Sequence, residues 1–339
     1  MGDVLVTGAS GFIGNHLVKR LLDLGQPVRA FVRDPACGDR LEKCGARLVQ
    51  GDVTDRDGLR RAVSGTSVVY HLAGITKAFT ARQYYEVNRR GVANVSWVCA
   101  EQDSPPVLIV VSSLAAVGPT VDGRPHEESD EPCPISLYGR SKRSGEKAAE
   151  GYASQIPITI VRPPIVFGEG DKGCLEMFKT VARSGIHPVP GYLPRHYSII
   201  HAADLVEALI LAAERGKRLC GRNAEEPYDG TGYYFAACDE HPTYYKLGRL
   251  IGAALGRRHT LTIPFATPVV RAVGAFGELA GRFRGQQSVM NWDKAREATA
   301  GSWICSSQKA KQELGFAVPC SLDDRLRQTA QWYRSAGWL

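Results

Sequence analysis

A short apolar run, Asp3-Val-Leu-Val-Thr7, stops at Gly8-Ala-Ser-Gly11-Phe-Ile-Gly14, and residues 15–24 then follow with the apolar spacing of a helix that ends at Gly25. This succession limits the fold more tightly than any other feature of the chain, because strand, glycine turn and helix in unbroken order open a parallel βαβ unit. Each glycine answers a backbone requirement. Gly8 permits the tight turn, Gly11 lets the backbone approach a pyrophosphate, and Gly14 lets the helix pack on the strand with its amino end toward the phosphates. A glycine triplet alone also marks an ordinary turn; the strand before it and the helix after it are what point to a dinucleotide.

Further βα units follow. Pro27-Val-Arg-Ala-Phe-Val32, Ala46-Arg-Leu-Val-Gln50, Ser67-Val-Val-Tyr-His71 and Pro106-Val-Leu-Ile-Val-Val111 are apolar runs separated by helical stretches. That alternation predicts an α/β fold with a doubly wound parallel sheet, right-handed crossovers, and a ligand beyond the carboxyl ends of the strands. About 20 residues past the glycines, an acidic side chain would accept the ribose hydroxyls of NAD. Here the place reads Val32-Arg33, and an arginine there pairs with a 2′-phosphate, so NADP(H) is favoured and NAD(H) stays open as the alternative. The bland reading of Arg33 is a surface residue beside a strand, with Asp34 next to it. Asp52, past another strand end, can bond the adenine amino group or cap the following helix. Leu72-Ala73-Gly74 offers small residues where backbone lies against a cofactor, and Ser112-Ser113 reaches the same sheet edge.

The segment Pro134-Ile-Ser-Leu-Tyr138-Gly-Arg-Ser-Lys142 carries a Tyr-x-x-x-Lys spacing. On a helix, residues four apart share a face, so phenol and ammonium point into one cleft. A free phenol with a pKa of about 10 is a poor acid–base group near neutrality, and a neighbouring cation lowers it. Tyr138 is therefore expected to exchange a proton with an alcohol or carbonyl oxygen, although two solvated helix residues give the same pattern by chance.

At 339 residues with 44% apolar content, the chain can bury the core of one large α/β domain and a smaller lobe. No run of eighteen apolar residues occurs and Asp3 interrupts the start, so neither export nor a membrane span is expected. Nine cysteines, odd in number, scattered and without a Cys-x-x-Cys pair, fit reduced thiols in a cytoplasm better than disulfides or a metal. The net charge of +7 is dispersed and predicts no nucleic-acid footprint, while it favours an anionic cofactor.

In order along the chain, Thr7-Gly8-Ala-Ser-Gly11-Phe-Ile-Gly14, Gly51-Asp52-Val53, His71-Leu72-Ala73-Gly74, Asn88 with Gly91 and Asn94, Ser112-Ser113, Tyr138-x-x-x-Lys142 and Arg162-Pro163-Pro-Ile-Val-Phe-Gly168 resemble the extended short-chain dehydrogenase/reductase superfamily. The resemblance runs through roughly half the chain and more thinly to its end. It implies a Rossmann-type sheet. It also implies that Tyr138 is the catalytic acid or base, and that Lys142 holds the nicotinamide ribose and lowers the tyrosine pKa. Ser113, five residues before Gly118, would orient the substrate oxygen, and Asn88 would support the site. Cofactor contacts would fall to Gly8, Ser10, Gly11, Phe12, Ile13, Gly14, Arg33, Asp52, Val53, Leu72, Ala73, Gly74, Tyr138, Lys142, Pro163 and Ile165.

Beyond Gly168 the sequence reads as loops at residues 169–173 and 186–194, a helix at 202–213, a strand at 233–237 and mostly helix after about 239. This divides the chain into a dinucleotide-binding part, 1–168 with 196–238 returning to it, and a substrate lobe of 169–195 and 239–339. Residues 264–283 are expected to form one apolar helix that covers a substrate cleft, leans on a membrane surface or packs plainly. Members of the superfamily that act on nucleotide sugars usually carry a diphosphate-clamping arginine seven residues before the aspartate matching Asp204. Tyr197 stands there, with Arg195 two residues away. The expectation is therefore an NADP(H)-dependent oxidoreductase acting on a small-molecule carbonyl or secondary alcohol, near the 3β-hydroxysteroid dehydrogenase and dihydroflavonol reductase branch. A nucleotide-sugar epimerase or dehydratase with bound NAD, and a non-catalytic NADPH-binding sensor or scaffold, are the alternatives. Homodimers through the helices flanking the sheet are common in the superfamily.

Overall fold

The structure, a computed structural model, describes residues 2–120, 122–221, 228–285 and 291–339. Strands and helices alternate as β1 (Asp3–Thr7), α1 (Phe12–Asp23), β2 (Val28–Val32), α2 (Asp39–Lys43), β3 (Arg47–Gln50), α3 (Arg56–Val63), β4 (Thr66–His71), α4 (Ala81–Tyr85), α5 (Gly91–Ala100), β5 (Val107–Val111), α6 (Leu137–Glu150) and β6 (Ile158–Arg162). The chain continues through β7 (Ile165–Phe167), α7 (Leu175–Ser184), β8 (Ile186–Pro190), β9 (Ile199–His201), α8 (Ala202–Arg215) and β10 (Tyr233–Phe235).

Seven strands form one sheet in the order β10-β6-β5-β4-β1-β2-β3, and every neighbouring pair is parallel. Because both faces are covered, the strands read as nearly continuous apolar runs. Within β1, Val4 and Val6 enter the core beneath α1 and α8, while Leu5 enters the opposite core beneath α3 and α5. Chain order reverses between β1 and β4, the switch point where ligands of such sheets bind. There the Thr7 hydroxyl meets Nδ1 of His71 at 2.8 Å, tying the two strand ends together.

The remainder comprises α9 (Tyr244–Ala254), β11 (Leu261–Phe265), α10 (Thr267–Arg284), α11 (Trp292–Ala300) and α12 (Leu322–Ser335). A third core joins Leu114 and Val117, which follow β5, to Phe178, Leu247, Trp303 and Tyr333. Two expectations need correction. Residues 186–190, read as loop from their prolines, form β8, which pairs in parallel with β11; in a two-stranded sheet each strand is an edge, where a missing N–H is tolerated. The helix expected over 264–283 begins only at Thr267, its first two positions belonging to β11. Among the described residues, no helix is long and apolar enough to cross a membrane.

Candidate active site

The glycine turn is built for close approach. Gly8 has φ of +69°, and a Cβ on it would lie 2.7 Å from the Ala73 nitrogen at the end of β4. A Cβ on Gly14 would lie 2.2 Å from the Gly8 carbonyl oxygen, so α1 presses directly on the turn. Gly11 is the N-cap of α1; no side chain caps that end and no acidic residue occupies its first turn. Its open amides and positive dipole end therefore suit a pyrophosphate. Ser10 and Gly11 are exposed beside this turn, with Phe12 and Ile13 half-buried.

At the end of β2, Arg33 is exposed, and its guanidinium makes no ion pair among the described residues. Asp34, its acidic neighbour, accepts from the Ala36 amide at 3.0 Å and caps a short 3-10 turn. Asp52 is not the cap of α3. Its carboxylate accepts from the Thr54 amide and hydroxyl at 2.8 and 2.7 Å, and Asp55 caps the helix instead. The Val53 side chain is core, which leaves only its backbone for a ligand, and its carbonyl already accepts from Asn94. Leu72 and Ala73 are half-buried against the turn, and Gly74 is exposed. Pro163 is buried and accepts at its carbonyl from the Leu114 amide, while Ile165 sits half-buried in β7.

Beyond the carboxyl ends of β4 and β5 the expected chemical groups converge. Ser113 accepts from the Ala115 amide at 3.1 Å, and its hydroxyl stands beside the Tyr138 phenol, where it acts to lower that group's pKa. Ser112 is buried and stands near the Glu146 carboxylate without a close hydrogen bond. Lys142 is buried, donates to the Val111 carbonyl at 2.7 Å, and would lie 3.7 Å from a Cβ on Gly74. Asn88, in a π turn between α4 and α5, accepts from the Ile75 amide at 2.8 Å and donates to the Ile75 carbonyl and the Ser141 hydroxyl at 2.9 Å each. It thereby pins the loop after β4 to α6. A Cβ on Gly145 would come 2.2 Å from the Asn88 carbonyl oxygen, which is why α6 can pack so closely.

The expected electrostatic link between Tyr138 and Lys142 is corrected by the structure. Burial raises the Tyr138 pKa above its ordinary value, and the opposing groups are Lys294 and the Ser113 hydroxyl. Burial lowers Lys142 to about 8, against the pull of Glu146. The spacing does set both residues on one face, but the lysine stem carries its ammonium to the Val111 carbonyl.

Lys294 belongs to α11, and nothing in the sequence singled out that helix. Its Nζ lies 4.9 Å from the centre of the Tyr138 ring and 2.6 Å from Glu297. Burial alone would lower the ammonium, but Glu297 more than compensates and holds it raised. The same helix caps α6 from outside. Asp293 accepts from the amides of Leu137 and Tyr138 at 2.9 and 3.1 Å, and Glu297 accepts from the Ser136 hydroxyl at 2.6 Å. Ser136 in turn accepts from the Gly139 amide at 2.9 Å. Three amides that a helix start would leave unpaired are thus satisfied, two of them by a residue about 155 positions away.

A glycine cradle at the switch point, followed across the sheet edge by a hydroxyl, a phenol and an ammonium, defines a Rossmann-fold enzyme of the kind that works on a bound nicotinamide dinucleotide. The model of the NAD dependent epimerase/dehydratase family matches residues 4–223, and the chain belongs to that family, within the extended short-chain dehydrogenase/reductase superfamily. It is 30% identical over 338 residues to a ceramide reductase of Caulobacter vibrioides, covering 100% of this chain and 96% of that protein. It is also 30% identical over 259 residues to human 3 beta-hydroxysteroid dehydrogenase type 7, covering 68% and 69%. The UDP-glucose 4-epimerase of Thermus thermophilus, solved with NAD, superposes with a TM-score of 0.74 at 20% identity, covering 98% and 99%; that likeness concerns the fold alone.

Proposed function

We propose that the protein is an NADP(H)-dependent oxidoreductase that interconverts a carbonyl and a secondary alcohol on a small organic substrate with an apolar body. The observation that carries this reading is the placing of the Ser113 hydroxyl beside the Tyr138 phenol beyond the sheet edge, because a substrate oxygen held there meets two O–H donors. Gly8, Gly11, Gly14 and the first amides of α1 would hold the pyrophosphate, Lys142 the nicotinamide ribose and Arg33 a 2′-phosphate. When bound, the dinucleotide supplies the hydride in reduction and takes it up in oxidation. As the substrate oxygen gains negative charge, Tyr138 gives it a proton and Ser113 donates a hydrogen bond. The Lys294 ammonium beside the ring favours the phenolate left behind, and alcohol oxidation uses the same groups in reverse. The raised pKa keeps Tyr138 protonated near neutrality, which suits the acid role.

Two observations favour this reading over a nucleotide-sugar enzyme. Tyr197 is buried in the core, and Arg195 donates to the carbonyls of Pro190, Ala298 and Thr299, two of them at the carboxyl end of α11. An arginine committed in this way is not offered to a diphosphate. The names of the ceramide reductase and the hydroxysteroid dehydrogenase support an apolar substrate. Nine free thiols support a reducing, cytoplasmic setting.

Purified protein is expected to oxidise NADPH with apolar ketones as acceptors and to leave UDP-glucose unchanged. Epimerisation of UDP-glucose by protein carrying tightly bound NAD would overturn the proposal. Arg33→Ser is expected to weaken NADPH binding about 10- to 100-fold, the loss of a charge-assisted contact, with NADH binding nearly unchanged. Fluorescence titration of both dinucleotides checks this, and equal losses for the two would remove Arg33 from the 2′-phosphate. Lys294→Met is expected to shift the pH at which alcohol oxidation sets in upward by about one pH unit, since a cation facing the phenolate is gone. Lys294→Arg should restore the profile, and a profile indifferent to both changes would separate Lys294 from Tyr138.

A further inference from the structure

Helix α10 is arranged the wrong way round for a helix that only packs on its own protein. Its buried face consists of Val270, Gly274 and Gly281, and a Cβ on Gly274 would meet Ala295 of α11 at 2.6 Å. Its largest side chains point outward instead: Val273 is 54% exposed, Phe276 73%, Leu279 54% and Phe283 85%. At about 100° per residue these four, with Val269, fall within an arc of roughly 120°. Scattered exposed apolar residues need no explanation, but a continuous stripe that includes two phenylalanines does.

The charges around the stripe say what covers it. By the same helical count Arg284 lies about 20° beyond one edge of the stripe, and Arg282 and Arg271 lie about 60° and about 80° beyond the other. The one acidic residue of the helix, Glu278, is already paired with Arg282 at 2.7 Å. Apolar rings flanked on both sides by arginines match the boundary between acyl chains and negatively charged headgroups, with the guanidinium stems reaching sideways to the phosphates. The chain as a whole, at +7, carries the same sign.

We propose that α10 rests its exposed apolar stripe on the surface of an anionic bilayer, so that the protein is held at a membrane without spanning it. This stands on the helix alone and is independent of the substrate reading. The test is co-sedimentation of the full chain with vesicles of phosphatidylcholine alone and of phosphatidylcholine with 30% phosphatidylglycerol. Binding is expected to the anionic vesicles, to be weaker on neutral ones, and to fall as salt is raised. The double change Phe276→Ser with Phe283→Ser touches only exposed positions and is expected to lower partitioning about tenfold or more, with the melting temperature unchanged. Arg271→Gln with Arg284→Gln should erase the preference for anionic over neutral vesicles. Failure of the native chain to bind anionic vesicles, or equal binding by the phenylalanine variant, would overturn the proposal. So would a dimer that the phenylalanine variant abolishes in the absence of vesicle binding, which would assign the stripe to a second copy of the chain.

Discussion

Tyr138→Phe is expected to bind NADPH as the native protein does and to lose turnover by a factor of about 10² to 10⁴, the usual worth of a positioned proton donor. The change deletes one oxygen from a half-buried ring and should leave the packing of that ring beside Tyr84, 6.2 Å away between centroids, nearly intact. What disappears is the group that can pass a proton to the substrate oxygen, while the Ser113 hydroxyl beside it stays in place. A second substitution tests that hydroxyl. Ser113→Ala keeps the phenol but removes the other donor, and it should cost less than Tyr138→Phe because no proton is transferred through it. Native-like turnover by Tyr138→Phe, measured at substrate saturation with cofactor affinity checked by titration, would end the proposed chemistry.

How much of this was legible beforehand follows the range of the interactions concerned. The glycine turn could be read because its requirement is local: Gly8 needs its positive φ, and Gly14 must lie against the carbonyl of Gly8 six residues earlier. The strands at residues 3–7 and 107–111 were legible because burial on both faces writes itself as an unbroken apolar run. The strand at 186–190 was hidden by Pro188 and Pro190, whose missing amides matter only in an interior strand. Least legible was the surrounding of Tyr138. Asp293, Lys294 and Glu297 act on it from a helix about 155 residues further on, and no local spacing announces a contact made by the docking of one helix onto the start of another. The spacing of Tyr138 and Lys142 does place both on one face of α6. Which atoms their polar ends meet was decided by the neighbouring strand and by burial.

Glu146→Gln is expected to carry a large stability cost and to change the pH behaviour of the site at the same time. Glu146, one turn beyond Lys142 on α6, accepts both forks of Arg162 from β6 at 2.9 and 2.8 Å, with both side chains fully buried. Burial pushes the Glu146 carboxyl up, but Arg162 outweighs it, so the group stays ionised. The guanidinium also lies 4.1 Å from the centre of the Tyr233 ring, which favours a cation. Removing the carboxylate strands a buried positive charge, at a cost of about 3–5 kcal/mol against a total stability of about 5–15. Chemical denaturation measures this. Replacing both partners by methionine should cost much less, since the penalty comes from the unpaired charge and not from losing the pair. The site reports the same change through Lys142. Burial places its pKa at about 8, and the nearby Glu146 raises it from where burial alone would put it. In the native protein kcat/KM for the dinucleotide, which reflects the free enzyme, should therefore decline as pH rises through about 8 and Lys142 loses its proton. Without the carboxylate the lysine releases its proton more easily, and the decline should begin at lower pH. A profile that keeps its position in a folded Glu146→Gln protein would show that Lys142 is not the group whose charge the cofactor meets.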